Sequence, residues 1–206
     1  MKKILLSLLT VASLASAGGC LLTQSDDMNV TWKAYKTLAK LGVEGKFTEV
    51  NYVANKKEGK NFKELLVGSK VSINLSKVDT KNKARDKTLV NNFFSKLKSK
   101  NIEGVIISIK ANERVKGQPY TGNLDINLSM NSQTVTIPMN YKYIKETFTA
   151  IGTIDLFDFD ANDALKSINK NCFDLHKGKT WNDVSIGFST TIKASLCDAK
   201  IVKEKK

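Results

Sequence analysis

Along most of the chain, apolar and polar residues alternate with a period of two. Val30, Trp32 and Ala34 interleave with Thr31, Lys33 and Tyr35, and Val71, Ile73 and Leu75 with Ser72, Asn74 and Ser76. Leu124, Ile126, Leu128 and Met130 interleave with Asp125, Asn127 and Ser129. The same rhythm runs through Val105, Ile107 and Ile109, through Val135, Ile137, Met139 and Tyr141, through Phe148, Ala150, Gly152, Ile154 and Leu156, and through Val184, Ile186 and Phe188. Successive side chains of a strand point to opposite faces, so each segment predicts a strand with one apolar and one wet face. Turn residues separate several of them: "MNSQT" joins two matched strands, and "ERVKGQPYTG" carries a Gly-Gln-Pro turn. Seven or eight such antiparallel strands can hide their apolar faces in a sandwich or a closed barrel. A barrel with an apolar inner face either fills its lumen with its own side chains or holds a ligand there, and periodicity alone does not separate the two.

Two segments break the alternation. "ARDKTLVNNFFSKLKS" puts Leu89, Phe93 and Leu97 on one helical face. "DANDALKSINKNCF" presents Leu165, Ile168 and Cys172 at helical spacing behind Asp160, read as the helix cap. Nothing between them reads as a linker or a repeat, and 206 residues suit one domain.

The N-terminus reads as an address. Lys2 and Lys3 precede the apolar "ILLSLLTVASLA", too short to span a bilayer, and Ala15-Ser16-Ala17 fits a cleavage site. We expect a signal peptide over residues 1–17 and an exported, periplasmic protein. A second reading stays open: "AGGC" resembles a bacterial lipoprotein box, which would extend the leader to residue 19 and anchor the chain in a membrane through a lipid on Cys20. An exported chain meets oxidising conditions, so cysteines should pair. Cys172 and Cys197 are the natural disulfide, worth about 3–4 kcal/mol in the chain-entropy account. Cys20 is then left over, which favours lipidation; pairing of Cys20 with one of the others is the alternative.

A formal charge of +13 invites a nucleic-acid reading, but only Arg85 and Arg114 are arginines and the lysines are spread along the chain. Base and phosphate readers lean on arginine forks. The charge therefore reads as a solvated, repulsive surface, with attraction to an anionic membrane surface as the second reading and no nucleic-acid partner. Catalytic constellations are missing. His176 is the one histidine, and H-E-x-x-H, G-x-S-x-G and a phosphate-cradling glycine loop do not occur. Cys172 and His176 could form a Cys–His pair, but half of a disulfide and a loop histidine is the plainer reading. Asp158, Asp160 and Asp163 lack the glycine and terminal glutamate of a calcium loop. We expect no enzyme, no metal and no cofactor other than a bound lipid.

The segment Asp79-Thr80-Lys81-Asn82-Lys83-Ala84-Arg85-Asp86-Lys87-Thr88-Leu89, followed by Phe93-Phe94, resembles the D-T-x-N-x-x-R-D-x-H-L…F-F signature of the YceI-like family of exported, lipocalin-like, polyisoprenoid-binding proteins. Thr88 stands where that family carries histidine. Gly45 and Phe47 match its G-x-F, Trp32 the start of its first strand, and Gly122, Leu124, Ile126, Val135 and Ile137 its central hairpin, with "MNSQT" in place of the commoner turn. Ala150 to Ile154 and "DVSIGF" match weaker patterns near the end. The resemblance implies an all-β fold, an extended eight-stranded antiparallel barrel with one or two short helices, over residues 28–200 ahead of a basic tail at 201–206. It also implies a lumen that takes an isoprenoid quinone, isoprenol or fatty-acyl amphiphile tail inward, for transport, storage or sensing, in a barrel of a type that is often a homodimer. The lining expected from the apolar faces is Val30, Trp32, Val71, Ile73, Leu75, Val105, Ile107, Leu124, Ile126, Leu128, Val135, Ile137, Phe148 and Phe188. Within the motif of Asp79, Arg85, Asp86, Phe93 and Phe94, we expect Arg85 and Asp86 to satisfy backbone groups and each other near the barrel mouth, and the phenylalanines to plug the core. The rivals are a self-filled structural or interaction barrel and, more weakly, a small-molecule enzyme on the same scaffold.

Overall fold

A computed structural model describes residues 21–195, so the expected signal peptide, Cys20, Cys197 and the basic tail lie outside the described residues. The strands are β1 (Leu21–Gln24), β2 (Asn29–Lys36), β3 (Leu41–Phe47), β4 (Val50–Val53), β5 (Glu58–Gly59), β6 (Lys70–Asn74), β7 (Val78–Asp79), β8 (Asn101–Ala111), β9 (Tyr120–Met130), β10 (Gln133–Ile144), β11 (Thr147–Asp155) and β12 (Thr180–Ser195). The helices are α1 (Phe62–Leu66), α2 (Lys83–Asn92), α3 (Asn162–Asn171) and α4 (Phe173–His176).

Antiparallel pairing runs in the order β4-β6-β8-β9-β10-β11-β12-β2-β3-β7. The two ends of this path belong together. β3 and β4 are halves of one pass of chain bent at Thr48 and Glu49, and β6 and β7 are halves of another, interrupted by a 3-10 turn at Leu75–Lys77. β4 pairs with β6 and β3 with β7. In the gap, the Thr48 amide donates to the Lys77 carbonyl and the Asn74 amide to the Glu49 carbonyl, at 2.8 and 3.2 Å. The sheet therefore curls round on itself as the resemblance implied, with eight passes of chain around the ring. The count by hydrogen-bonded segments is higher than eight because two passes are broken and because β1 and β5 form a ribbon beside β12. That ribbon starts the sheet at Leu21, ahead of the expected boundary at 28.

Local chemistry explains the connections. The β9–β10 hairpin turns through Asn131 and Ser132, both at positive φ (53° and 68°) as a tight primed turn requires. Asn131 is buried there: it accepts from the Lys98 amide and donates to the Phe159 and Asp160 carbonyls. α2 begins at Asn82, whose Oδ1 accepts from the Arg85 amide at 3.0 Å. α3 departs from expectation. Asp160 is not its cap; it sits at φ 51° and closes the preceding 3-10 turn, and Ala161 occupies the cap position without a side-chain bond. Packing of the apolar face of α3, rather than capping, holds this helix.

One end of the barrel is solid. Phe62 of α1 packs edge-on against Tyr141, Tyr143 and Phe148 at centroid distances of 5.1–5.8 Å, and Tyr141 stacks on Phe148 at 4.9 Å. Leu65, Leu66 and Phe148 are fully buried. Buried Gln24 ties this plug down by donating to the Leu65 carbonyl at 3.0 Å and accepting from the Tyr52 hydroxyl at 2.6 Å. The other end is built differently.

Candidate functional site

At that other end, α2, α3 and α4 stand over the barrel mouth without filling it. A cavity of about 470 Å³ lies beneath them, within the size range of small-molecule sites. Ala34, Val184 and Ile186 of the sheet form one wall; Leu89, Phe93 and Phe94 form a second; Leu165, Ile168 and Cys172 form a third. Its floor is Trp32, Phe47, Ile102 and Ile154, which also border a smaller void of about 90 Å³ deeper in the barrel. Trp32 thus borders both spaces. Its indole lies over Gly45, where a Cβ would come within 2.4 Å of a ring carbon, so glycine is required there for the ring to lie flat. The indole Nε1 is buried and has no hydrogen-bond partner among the described residues.

The rim is polar and cationic. Lys36, Arg85, Asn82, Thr88, His176 and Thr180 border the cavity. A directional chain fixes the histidine. The Asn169 amide nitrogen donates to the Gly178 carbonyl, so its oxygen accepts from the Thr180 hydroxyl at 2.8 Å. With its proton so used, Thr180 Oγ1 accepts from His176 Nδ1 at 2.6 Å. Burial, and next the charge of Lys36, hold His176 below the ordinary 6.5, so the imidazole is neutral at pH 7 with Nε2 as an acceptor. Burial pushes the Cys172 thiol up, partly offset by Lys36, so it is no ready nucleophile.

The family motif serves this architecture, and Asp86 satisfies a backbone group as expected. Asp86 is buried, and its Oδ1 accepts from both the amide and the hydroxyl of Thr80, at 2.9 and 2.6 Å, clamping α2 to β7. Arg85 and Asp86 do not pair: consecutive helical side chains point in different directions. Arg85 is half-buried at the cavity rim and makes no ion pair with a described carboxylate. Asp79 accepts from the Lys81 amide at 2.8 Å and shapes the turn before the helix. Phe93 and Phe94 line the cavity instead of plugging a solid core. They meet edge-on at 5.3 Å, and Phe94 lies 6.0 Å from Phe47. Thr88, at the family's histidine position, donates back to the Ala84 carbonyl at 2.9 Å.

The expected lining divides three ways. Val30, Trp32, Val71, Ile73, Ile126, Leu128 and Phe188 border the deeper void, as does the half-exposed Val105. Leu75, Leu124, Ile137 and Phe148 are buried in solid core, with Val135 packed beside it. Ile107 is 40% exposed: the β8–β9 register shifts between Ile106 and Ser108, so Ile102, Gly104 and Ile106 face inward before the shift, and the expected Ile109 packs against the core after it. Cys172 sits on the cavity wall, while β12 ends at Ser195 beside β1 at the opposite end of the barrel. Among the described residues no three His, Cys, Asp or Glu side chains cluster to hold a metal ion, and no helix is long and apolar enough to cross a membrane.

Comparison with known proteins places this architecture. A family model, the YceI-like domain, matches residues 23–193, and the chain belongs to that family. The fold is shared with BcnA of Burkholderia cenocepacia, at 16% identity and a TM-score of 0.52 over 81% of this chain and 96% of that one. It is shared also with a polyisoprenoid binding domain from Saccharophagus degradans implicated in plant cell wall breakdown, at 10% identity and a TM-score of 0.54 over 86% of this chain and 99% of that one. A comparison with curated proteins returns no match.

Proposed function

We propose that this protein is an exported carrier or sensor of a single long-chain amphiphile, an isoprenoid quinone, isoprenol or fatty-acyl lipid. The tail enters the cavity under the helices and the head stays at the Lys36–Arg85–His176 rim. The observation that carries the reading is the coexistence of about 470 Å³ of apolar-walled space with a polar rim at one end only. Each methylene removed from water contributes about 0.8 kcal/mol, so a tail needs no polar anchor inside. Membership of the YceI-like family and the fold shared with a polyisoprenoid binding domain support the ligand class. The same family is generally one of binding proteins, and the neutral His176 and raised Cys172 thiol supply no activated nucleophile, which favours binding over catalysis. The leader-like N-terminus supports a periplasmic location.

Both tryptophans of the chain border the cavity, so intrinsic fluorescence reads its occupancy without a label. Titration with a short-chain isoprenoid quinone should quench it saturably, and native mass spectrometry of the purified protein should show a stoichiometric lipid adduct. An empty protein whose fluorescence does not respond to quinone, isoprenol or fatty acid would refute the proposal.

A further inference from the structure

Around the cavity mouth, apolar side chains stand exposed, with no described residue covering them. Leu38, at the tip of the β2–β3 turn, is 81% exposed, and Leu175 of α4 is 72% exposed. Leu41 and Phe173 are exposed beside them. These residues form one surface. The Thr37 amide donates to the Lys179 carbonyl at 2.9 Å, and the Trp181 indole donates to the Thr37 carbonyl at 2.7 Å. Phe173 rests against Gly178, and Leu41 pairs with Lys36 across the hairpin. Leu175, Trp181, Tyr35 and Lys36 also border the cavity, so the surface is its doorstep.

The charge on this surface has one dominant sign. Lys36, Lys40, Lys177 and Lys179 ring the apolar tips, against Asp174 and Asp183, and Asp183 is already paired with Lys40 at 2.7 Å. The Lys40 and Lys179 ammonium groups lie over the Trp181 ring at 4.9 and 4.6 Å. Leucine and phenylalanine tips, half-buried indole and phenol rings, and lysines beside them are the composition of an interfacial membrane anchor. With Asp174 and Asp183 set against the four lysines, the surface keeps a net positive charge beside its leucine tips, which is the pairing of apolar and electrostatic attraction that reversible attachment to an anionic bilayer uses.

We propose that this face docks on the surface of an anionic phospholipid bilayer, with Leu38 and Leu175 entering the headgroup boundary and the cavity mouth set against the lipid. Its purpose, loading and unloading from the bilayer, rests on the carrier reading; the docking itself does not.

Flotation with vesicles tests it, in full-length protein carrying Cys20→Ser so that acylation supplies no attachment. The protein should float with mixed phosphatidylglycerol–phosphatidylcholine vesicles, float poorly with phosphatidylcholine alone, and be released by salt. Leu38→Ser with Leu175→Ser, and separately Lys177→Glu with Lys179→Glu, should each weaken binding by about tenfold or more. Val115→Ser, on the exposed loop at the solid end that also carries Arg114 and Lys116, should bind like wild type. Leu38, Leu175, Lys177 and Val115 are exposed and Lys179 is half-buried beside Trp181, and unchanged circular dichroism and Tm will show that the variants fold. The proposal is overturned if wild type stays with the soluble fraction, if the leucine pair floats unchanged, or if Val115→Ser loses as much as the leucine pair. Fluorescence titration of Leu38→Ser alone, a residue off the cavity lining, with quinone in solution separates the two readings: retained uptake with weakened flotation isolates docking, and lost uptake in wild type faults the carrier reading alone.

Discussion

The two ends of this barrel use the same strands to opposite effect. At the solid end, inward-facing positions carry Tyr141, Tyr143, Phe148 and Ile192, and Phe62 of α1 drops among the rings, leaving little space. At the open end the inward residues of β2, β3 and β12 include Ala34, Val43 and Val184, smaller side chains that border open space. Helices α2 and α3 are clamped at a distance by Asp86 and Asn131 rather than pressed in. Lumen filling and ligand space are therefore not alternatives in this fold; they divide the axis between them. The solid half holds the barrel together while the other half stays hollow.

Substitutions should separate the halves. The largest effect belongs to the plug: Phe148→Ala should lower stability by about 3–5 kcal/mol, read by denaturant melts, because a fully buried ring leaves a void among rigid neighbours. Asp86→Ala should come next, at about 1–3 kcal/mol, since it strands the buried Thr80 amide and hydroxyl. That variant should also lose quinone uptake, because α2 is no longer held over the mouth. Leu165→Ala, facing open space, should shift stability by only about 1 kcal/mol while weakening quinone binding, a loss fixed by fewer contacts than in packed core. An equal loss of stability in Leu165→Ala and Phe148→Ala would mean that both ends are packed alike. The smallest effect concerns His176. Its folded-state proton affinity is depressed, so the unfolded chain takes up a proton first as pH falls below the ordinary 6.5. Stability should rise with pH across that window and level off above it, and His176→Gln should flatten the slope in Tm measured against pH.

The strands and the ring were legible because each rests on a local pattern, alternation of apolar residues, that the sheet preserves. The bulge at Ile107 was not: one extra residue reverses the face of everything beyond it without changing the composition of "GVIISIKA". The Arg85–Asp86 pairing failed for a similar reason, since adjacency in sequence is divergence on a helix. The cavity escaped most completely. Leu89, Leu165, Ile168 and Cys172 were read as apolar helical faces, which announce burial, but no pattern states how far from the sheet a helix is held. That distance is set by Asp86 reaching Thr80 and by Asn131 reaching Phe159 and Asp160, contacts between residues with little in the chain to couple them.

On the proposed function, Trp32, which borders both spaces, would act on the length of the tail that is carried. Because its indole N–H donates to no described residue, turning the ring aside breaks no hydrogen bond and forfeits only its contact with Gly45 and the neighbouring side chains. A short acyl chain would then stop at the ring, whereas a polyprenyl chain that continued into the deeper void would have to push it over. The barrel would thereby have a gauge: the resistance of one ring would set how much tail is accepted before the solid end refuses the rest.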